Sequence, residues 1–569
     1  MKSSLLTLIL IGFQSISSIN ALSRQGHAQP IASFTNECVN KVDLYTGRLT
    51  TSARKALHGG MVCGRSKLEA RGLIKPSTAD ISRIQQPMTT VTKSMPAYPI
   101  IAASTSLLHG YDTGVIAGAL LFFPLALNIK ERPDLIGMVL TSSTLGAIAG
   151  SSFAPNYLKK HGRVQTLRVC GLIFLLSSII SSSSVTFQQL LVGRTLTGVA
   201  MGLSSASVPL YISECSPALE RGRFATLPQL AISGGILVSY VMCFLVLMIF
   251  GGNWRIMLGV SSIPSILQLF ATSYGLLESP RWLVSKGRFA EARDNLKQLR
   301  KDVDLKLIEN EFKEMIAAND LIVKKNSAVN NNSSSSSNKK KDDTTLLNLL
   351  QSPQSRKMLF VCLALQMFQQ LSGINAIVYF TPSILKEAGV PALLKKVGIL
   401  DPNAAGLLST IFAYLPKMPA LLLAMKLMDK MGRRSLLLTF VPIMSSALLS
   451  LAMCFRFMSA TNPMRGMIAI ISIMTFGISF VLSIGPIPSI LSSELFPTNH
   501  RASGMSASVS AQWGFNALVS FMFPILQYKY GTQFVLSFFA TASIIGWFFT
   551  YLFVPETKGK SLEELGKGV

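Results

Sequence analysis

Residues 466–491 read GMIAIISIMTFGISFVLSIGPIPSIL, 26 positions without a single Asp, Glu, Lys or Arg. About 20 such residues let a helix cross the hydrocarbon core of a bilayer, so this stretch predicts a membrane span. Working outward, runs of the same kind recur. The first half of the chain gives 97–125, 135–158, 166–185, 190–213, 225–250 and 254–277. The second gives 357–380, 404–426, 435–457, 466–491, 504–526 and 533–554. The expected fold is therefore an all-α integral membrane protein of twelve transmembrane helices in two six-helix, pseudo-symmetric halves.

Composition agrees. Of 569 residues, 49% are hydrophobic and 14% charged, and mean hydropathy is +0.44. Soluble domains carry roughly a quarter charged residues, which excludes the ordinary soluble classes. The excess of 53 Lys and Arg over 27 Asp and Glu sits between apolar runs, where it encodes topology rather than a nucleic-acid face. The seven cysteines show no metal-ligand spacing, and no structural disulfide, metal or cofactor is expected. A phosphate-binding Gly-rich loop, HExxH and a paired thiolate site are likewise absent, which argues against an enzyme.

The chain divides into a leader (1–95), a first half (96–278), a cytosolic linker (279–356), a second half (357–555) and a short C-terminal tail (556–569). The leader opens with Lys2 and an apolar stretch, Leu5 to Phe13, the shape of a secretory signal. Residues 23–95 are rich in Arg, Lys, Ser and Thr with four acids, a transit-peptide composition. A signal followed by a transit segment directs a carrier to a plastid envelope. An uncleaved, disordered cytosolic tail on a plasma-membrane carrier is the other reading, and both stay open. The linker has an amphipathic stretch, Arg288 to Val323, then a low-complexity segment through Ser333 to Ser337 and Lys339 to Lys341, expected to be flexible.

Basic clusters follow spans 2, 4, 8 and 10: Lys159 to Arg163, Arg221 to Arg223, Lys430 to Arg434, and His500-Arg501. The positive-inside rule places these ends, and both bundle termini, in the cytosol; the loop with Lys386, Lys395 and Lys396 runs against the trend. The same ends reveal a repeat. Gly162-Arg163 returns as Gly432-Arg433, and Glu214…Arg221 returns at the same spacing as Glu494…Arg501. Two like halves are the plan of an alternating-access transporter with its substrate site between them.

These residues resemble the sugar porter family of the major facilitator superfamily, over roughly 97–565. The likeness rests on Gly110-Tyr111-Asp112-Thr113-Gly114, Pro209 to Glu214, Glu278 to Leu283, Gln369 to Ala376, Asp429 to Arg434, Gly485-Pro486-Ile487-Pro488 and Pro555 to Gly559, in family order. Asp112 in span 1 and Arg194 in span 4 are intramembrane charges, which pair or serve function. The resemblance implies a proton-coupling pair; a static salt bridge is the alternative. Gln229, Gln369, Gln370 and Asn375 are amides in apolar helices, able to bond sugar hydroxyls or to glue helices together. The resemblance makes them hexose contacts, adds Gln512 and Trp513, and makes Tyr379 a gate aromatic. Arg163, Glu214 and Arg221 face Asp429, Arg433, Arg434, Glu494 and Arg501 at the cytosolic ends, where salt bridges between the halves would hold the inner side shut.

Three departures stand out. Lys159 replaces the family's acid before Gly162-Arg163, and Val164 its second arginine. Ser489 replaces the Trp that often follows Gly-Pro-x-Pro in the family, a Trp that the family's plastid-type glucose transporters also lack. Lys417 lies in span 8 where many hexose carriers have Asn, so it is a candidate contact for an anionic or unusual substrate; a lysine that snorkels or stays neutral is the alternative. The expectation is a monomeric secondary transporter of a monosaccharide or polyol with proton symport, with small sugar, protons and the lipid bilayer as partners and no nucleic acid. A facilitative uniporter and a non-transporting sugar sensor are the alternatives.

Overall fold

The computed structural model describes residues 97–217, 224–300, 303–331, 353–395, 398, 401–459, 461–496 and 501–558. The leader, the low-complexity linker segment and Arg221 lie outside the described residues, and of Asp429 and Arg501 only the backbone is described.

The first half comprises α1 (Ala97–Ala119), α2 (Pro133–His161), α3 (Arg163–Ser182), α4 (Phe187–Cys215), α5 (Leu227–Phe250) and α6 (Trp254–Gly275). Three linker helices follow: α7 (Pro280–Ser285), α8 (Phe289–Leu299) and α9 (Leu305–Asn331). The second half comprises α10 (Ser355–Glu387), α11 (Pro402–Met428), α12 (Arg433–Phe457), α13 (Pro463–Leu495), α14 (Arg501–Tyr530) and α15 (Thr532–Phe553). Eleven of these helices are long and apolar enough to cross a membrane. The first, α1, falls short by composition because it carries His109, Tyr111 and Asp112 within its length.

Local sequence explains where the spans begin. Asp401 and Asn462 cap α11 and α13 by accepting from the backbone N–H two residues on, at 2.9 and 3.0 Å, each with Pro at the next position. Capping side chains and an N1 proline are the preferred chemistry of a helix start. Apolar stripes such as Leu172, Leu176 and Ile179 on α3, and Ile263, Ile266, Leu267 and Phe270 on α6, face outward. Lipid, unlike water, accepts such surfaces without cost.

Packing within the first half depends on small residues. Gly146 and Gly150 of α2 and Gly198 and Gly202 of α4 lie against each other's backbones, and a Cβ at any of them would strike a carbonyl oxygen. Small side chains let helix backbones approach closely, as membrane interfaces require. Arg194 precedes Gly198 and Gly202 in the same i, i+4, i+8 stripe, so this approach buries it against α2.

The linker is partly ordered, beyond the single amphipathic stretch expected. Trp282, Leu283, Leu296, Ile308, Phe312 and Met315 of α7 to α9 form their own apolar core. Arg300 fastens it to the bundle by donating to the Cys215 carbonyl at 2.7 Å and pairing with Glu311 at 3.1 Å.

Candidate functional site

The two halves meet through α1, α2 and α5 on one side and α10, α11 and α14 on the other. Thr141 donates to the Ala517 carbonyl at 3.3 Å, and Tyr240 to the Val378 carbonyl at 2.9 Å. His109 stacks on Trp513 at 6.2 Å, and Tyr240 meets Tyr414 edge-on at 5.5 Å. These contacts lie near the middle of their helices or toward the α2 N-terminus.

Asp112 and Arg194 are brought together as an ion pair at 2.7 Å, their side chains 11% and 2% exposed. The geometry is one-sided. A single Arg194 nitrogen serves both carboxylate oxygens, the second reaches Ser143 Oγ at 3.4 Å, and Nε has no partner. A fork-on-fork pair would use two parallel bonds, so this one is held less tightly than its burial would permit.

The amides of α10 form a directed chain. The span breaks after Leu371, where Gly373 takes φ +79° against the ring of Phe539, and helix resumes at Ile374. Across the break, Asn375 Nδ2 donates to Gln370 Oε1 at 2.9 Å, and Gln370 Nε2 to Gln369 Oε1 at 3.0 Å. Gln369 Nε2 then donates to the Ile484 and Gly485 carbonyls at 3.0 and 2.5 Å. Those carbonyls are free because α13 is itself interrupted at Ser483 before Pro486. Two broken helices therefore meet at Gln369, as discontinuous transporter helices do. Donation along the chain polarises each amide in turn and leaves the Asn375 carbonyl as the enhanced acceptor at its end.

The remaining predicted contacts are placed differently. Gln512 and Trp513 are half-buried on α14, and Trp513 packs against a first-half cluster of Leu108, Ala147, Phe174, Ala200 and Met201. Gln229 is exposed in the first turn of α5 and takes no part in the amide chain. Tyr379 is buried, within electrostatic range of Asp112 and Arg194. Lys417 is buried among aromatic rings, its Nζ 3.3 Å from the Tyr414 hydroxyl.

Of the charged helix-end residues expected to bridge the halves, Arg163, Glu214, Arg433 and Glu494 instead pair within their own half. Arg163 pairs with Glu214 at 2.7 Å and Arg433 with Glu494 at 2.8 Å. Ser279 donates to Glu214 and Thr557 to Glu494, each at 2.6 Å. Glu278 accepts from the backbone N–H groups of Arg163 and Val164, and Glu556 from those of Arg433 and Arg434, at 2.9 and 3.1 Å in both halves. Arg434 also reaches the Tyr551 carbonyl at 2.7 Å. The physical reason is reach: the orphan N–H groups that begin α3 and α12 lie beside the chain leaving the last helix of the same half. Among the described residues no ion pair joins the halves here. Burial pushes the Glu278 carboxyl above its ordinary range, against the opposing pull of the Ser279, Arg163 and Val164 N–H groups.

Several partners were missed in the sequence. Glu278 and Glu556 were legible as a third element of the repeat, each an acid before Ser or Thr after the last span of its half. His109 and Ser143 carried no such signal, since only packing brings them to Trp513 and Arg194.

Comparison with known proteins follows the same lines. The family model described as "Sugar (and other) transporter" matches residues 99–568. Probable polyol transporter 6 of Arabidopsis thaliana is 32% identical, over 82% of this chain and 92% of its own. Plastidic glucose transporter 4 of the same plant is 32% identical, over 82% and 78%. Among solved structures, the inward open conformation of the E. coli xylose transporter XylE superposes with TM-score 0.66 at 25% identity, covering 82% of this chain and 98% of that one. The same protein as a proton:xylose symporter bound to 6-bromo-6-deoxy-D-glucose gives 0.61 at 26% identity, over 82% and 97%. With a family match along the whole bundle and the broken, mirrored helices described above, this membrane-embedded chain is a transporter, not an enzyme, and belongs to the sugar transporter family of the major facilitator superfamily.

Proposed function

We propose that this protein moves a monosaccharide or polyol by alternating access, with proton symport, and acts as a monomer. The observation that carries the reading is the buried Asp112–Arg194 pair standing in the same bundle as a terminal amide acceptor at Asn375. When Asp112 takes a proton, its attraction to Arg194 is lost, and the one-sided pair has little geometry to hold it. Arg194 then relaxes toward Ser143, and α1 is freed to shift relative to α4. The sugar's hydroxyls bond Asn375 and its apolar face lies on Trp513, whose stack on His109 spans the halves. Sugar binding thus pulls on the same contact between halves that the proton loosens. The inner-end pairs within each half keep each six-helix body rigid while it rocks. The likeness to inward open XylE supports an inward-facing state. The transit-like leader and the likeness to a plastidic glucose transporter support a plastid envelope as the membrane.

The test is uptake of labelled glucose, galactose, xylose and myo-inositol into proteoliposomes with and without an inward proton gradient. The reading expects accumulation of at least one of them above the outside concentration only with the gradient. Uptake that merely equilibrates, indifferent to the gradient, would leave a facilitator.

A further inference from the structure

Lys417 is a cation without an anion. It is 7% exposed, and among the described residues no ion pair includes it. Its ammonium instead lies over the rings of Tyr414 at 4.6 Å and Phe480 at 5.8 Å, and its stem passes Gly477. It does not snorkel to lipid or water. It lines a cavity whose wall is drawn from both halves, with Tyr240 on one side and Ile374, Ile377, Tyr414 and Phe476 on the other. No Asp, Glu or second basic residue lines that cavity. Ile374 in that wall is the residue before Asn375, one step along α10 from the end of the amide chain.

A desolvated charge with ring contacts and a single neutral hydroxyl is expensive in a membrane interior, and such residues mark substrate paths. Tyr414 accepts from Lys417 and also pairs with the Ser233 hydroxyl, so its phenol proton serves a bound acceptor by exchanging Ser233 for it. Ammonium and phenol together form a two-donor site for one oxyanion. The charge count favours a carboxylate over a phosphate monoester. One ammonium neutralises a single negative charge, and a phosphate near −2 would remain half uncompensated with no arginine fork to receive it.

Resting on the sugar-transport reading above, the geometry points to a monocarboxylated sugar, a uronate or aldonate, as the preferred substrate class. Its carboxylate sits on Lys417 and Tyr414, and its hydroxyls on Asn375.

The test uses the full chain in proteoliposomes with labelled glucuronate, galacturonate, gluconate, glucose and myo-inositol. Variants are Lys417→Met, which keeps the volume, and Lys417→Arg, which keeps the charge. The expected result is that at least one of the acids has a kcat/KM ten-fold or more above glucose. Lys417→Met should lose about 100-fold on that acid, far more than it loses on glucose, and Lys417→Arg should retain part of the acid uptake. In parallel, the acid should raise the unfolding temperature of the wild type and leave that of Lys417→Met unmoved, while Lys417→Met alone unfolds no lower than wild type. Saturable glucose uptake that none of the three acids competes for would overturn the proposal and leave the sugar-transport reading standing. So would acid uptake equal in wild type and Lys417→Met. Well-folded protein that moves none of the five compounds would overturn both.

Discussion

Both carboxylate oxygens of Asp112 accept from one and the same nitrogen of Arg194, each at 2.7 Å. A pair so arranged is buried and yet makes few bonds, which is what a reversible contact needs. Removing one member of a buried pair costs about 3–5 kcal/mol, because the other charge is stranded. Asp112→Asn is therefore expected to lower the unfolding temperature in detergent, and Asp112→Asn with Arg194→Met to recover most of the loss. Equal unfolding temperatures for all three proteins would contradict the burial of the charge.

Glu278 should make stability depend on pH. Its carboxyl is raised by burial, so the folded protein holds this proton at pH values where the unfolded chain has released it. The contribution is fully present below the ordinary glutamate value and is lost as pH rises through the raised one. The unfolding temperature should thus fall with rising pH over that window, and Glu278→Gln should flatten the slope. Gln also surrenders one acceptor for the Arg163 and Val164 N–H groups, costing about 1–3 kcal/mol. A slope unchanged in the variant would assign it to other groups.

Gly373 sits at φ +79° with the Phe539 ring where a Cβ would be. Gly373→Ala should cost at least about 1 kcal/mol from the left-handed backbone alone, with the ring clash added. Because the break sets Asn375 back toward Gln370, sugar KM should rise as stability falls. A variant with wild-type unfolding and KM would show that the break is not needed.

The amide chain predicts coupling. Asn375→Ala removes the terminal acceptor and should raise KM about ten-fold, near 1.4 kcal/mol. Gln370→Ala unmakes the link that polarises it, so the two substitutions together should cost clearly less than their sum. Strict additivity in the binding constants would mean that the two amides act independently.

The architecture was legible because membrane spans are written in long apolar runs and the repeat in short charged motifs. Asp112 and Arg194 announced themselves as charges in apolar helices, and Gln369, Gln370 and Asn375 as amides in one. What stayed hidden depends on reach rather than composition. The charged helix ends suggested ties between the halves, yet Arg163 and Arg433 each find a glutamate in their own half, because a side chain satisfies the nearest orphan groups first. Gln229 has the same chemistry as Gln370 but lies in the first turn of its helix, exposed rather than joined to the chain. His109 reads as an isolated polar residue until the fold stacks it on Trp513, more than 400 positions away.

The central claim is that Asp112 carries the proton that sugar moves. The most direct measurement is sugar-driven proton flux, read by a pH-sensitive dye inside proteoliposomes at zero membrane potential, for wild type and Asp112→Asn. The substrate is whichever sugar the uptake assays identify. The account predicts internal acidification on adding sugar to wild type and none in Asp112→Asn, which still equilibrates the sugar. Acidification of equal size in both proteins would place the proton elsewhere and contradict it.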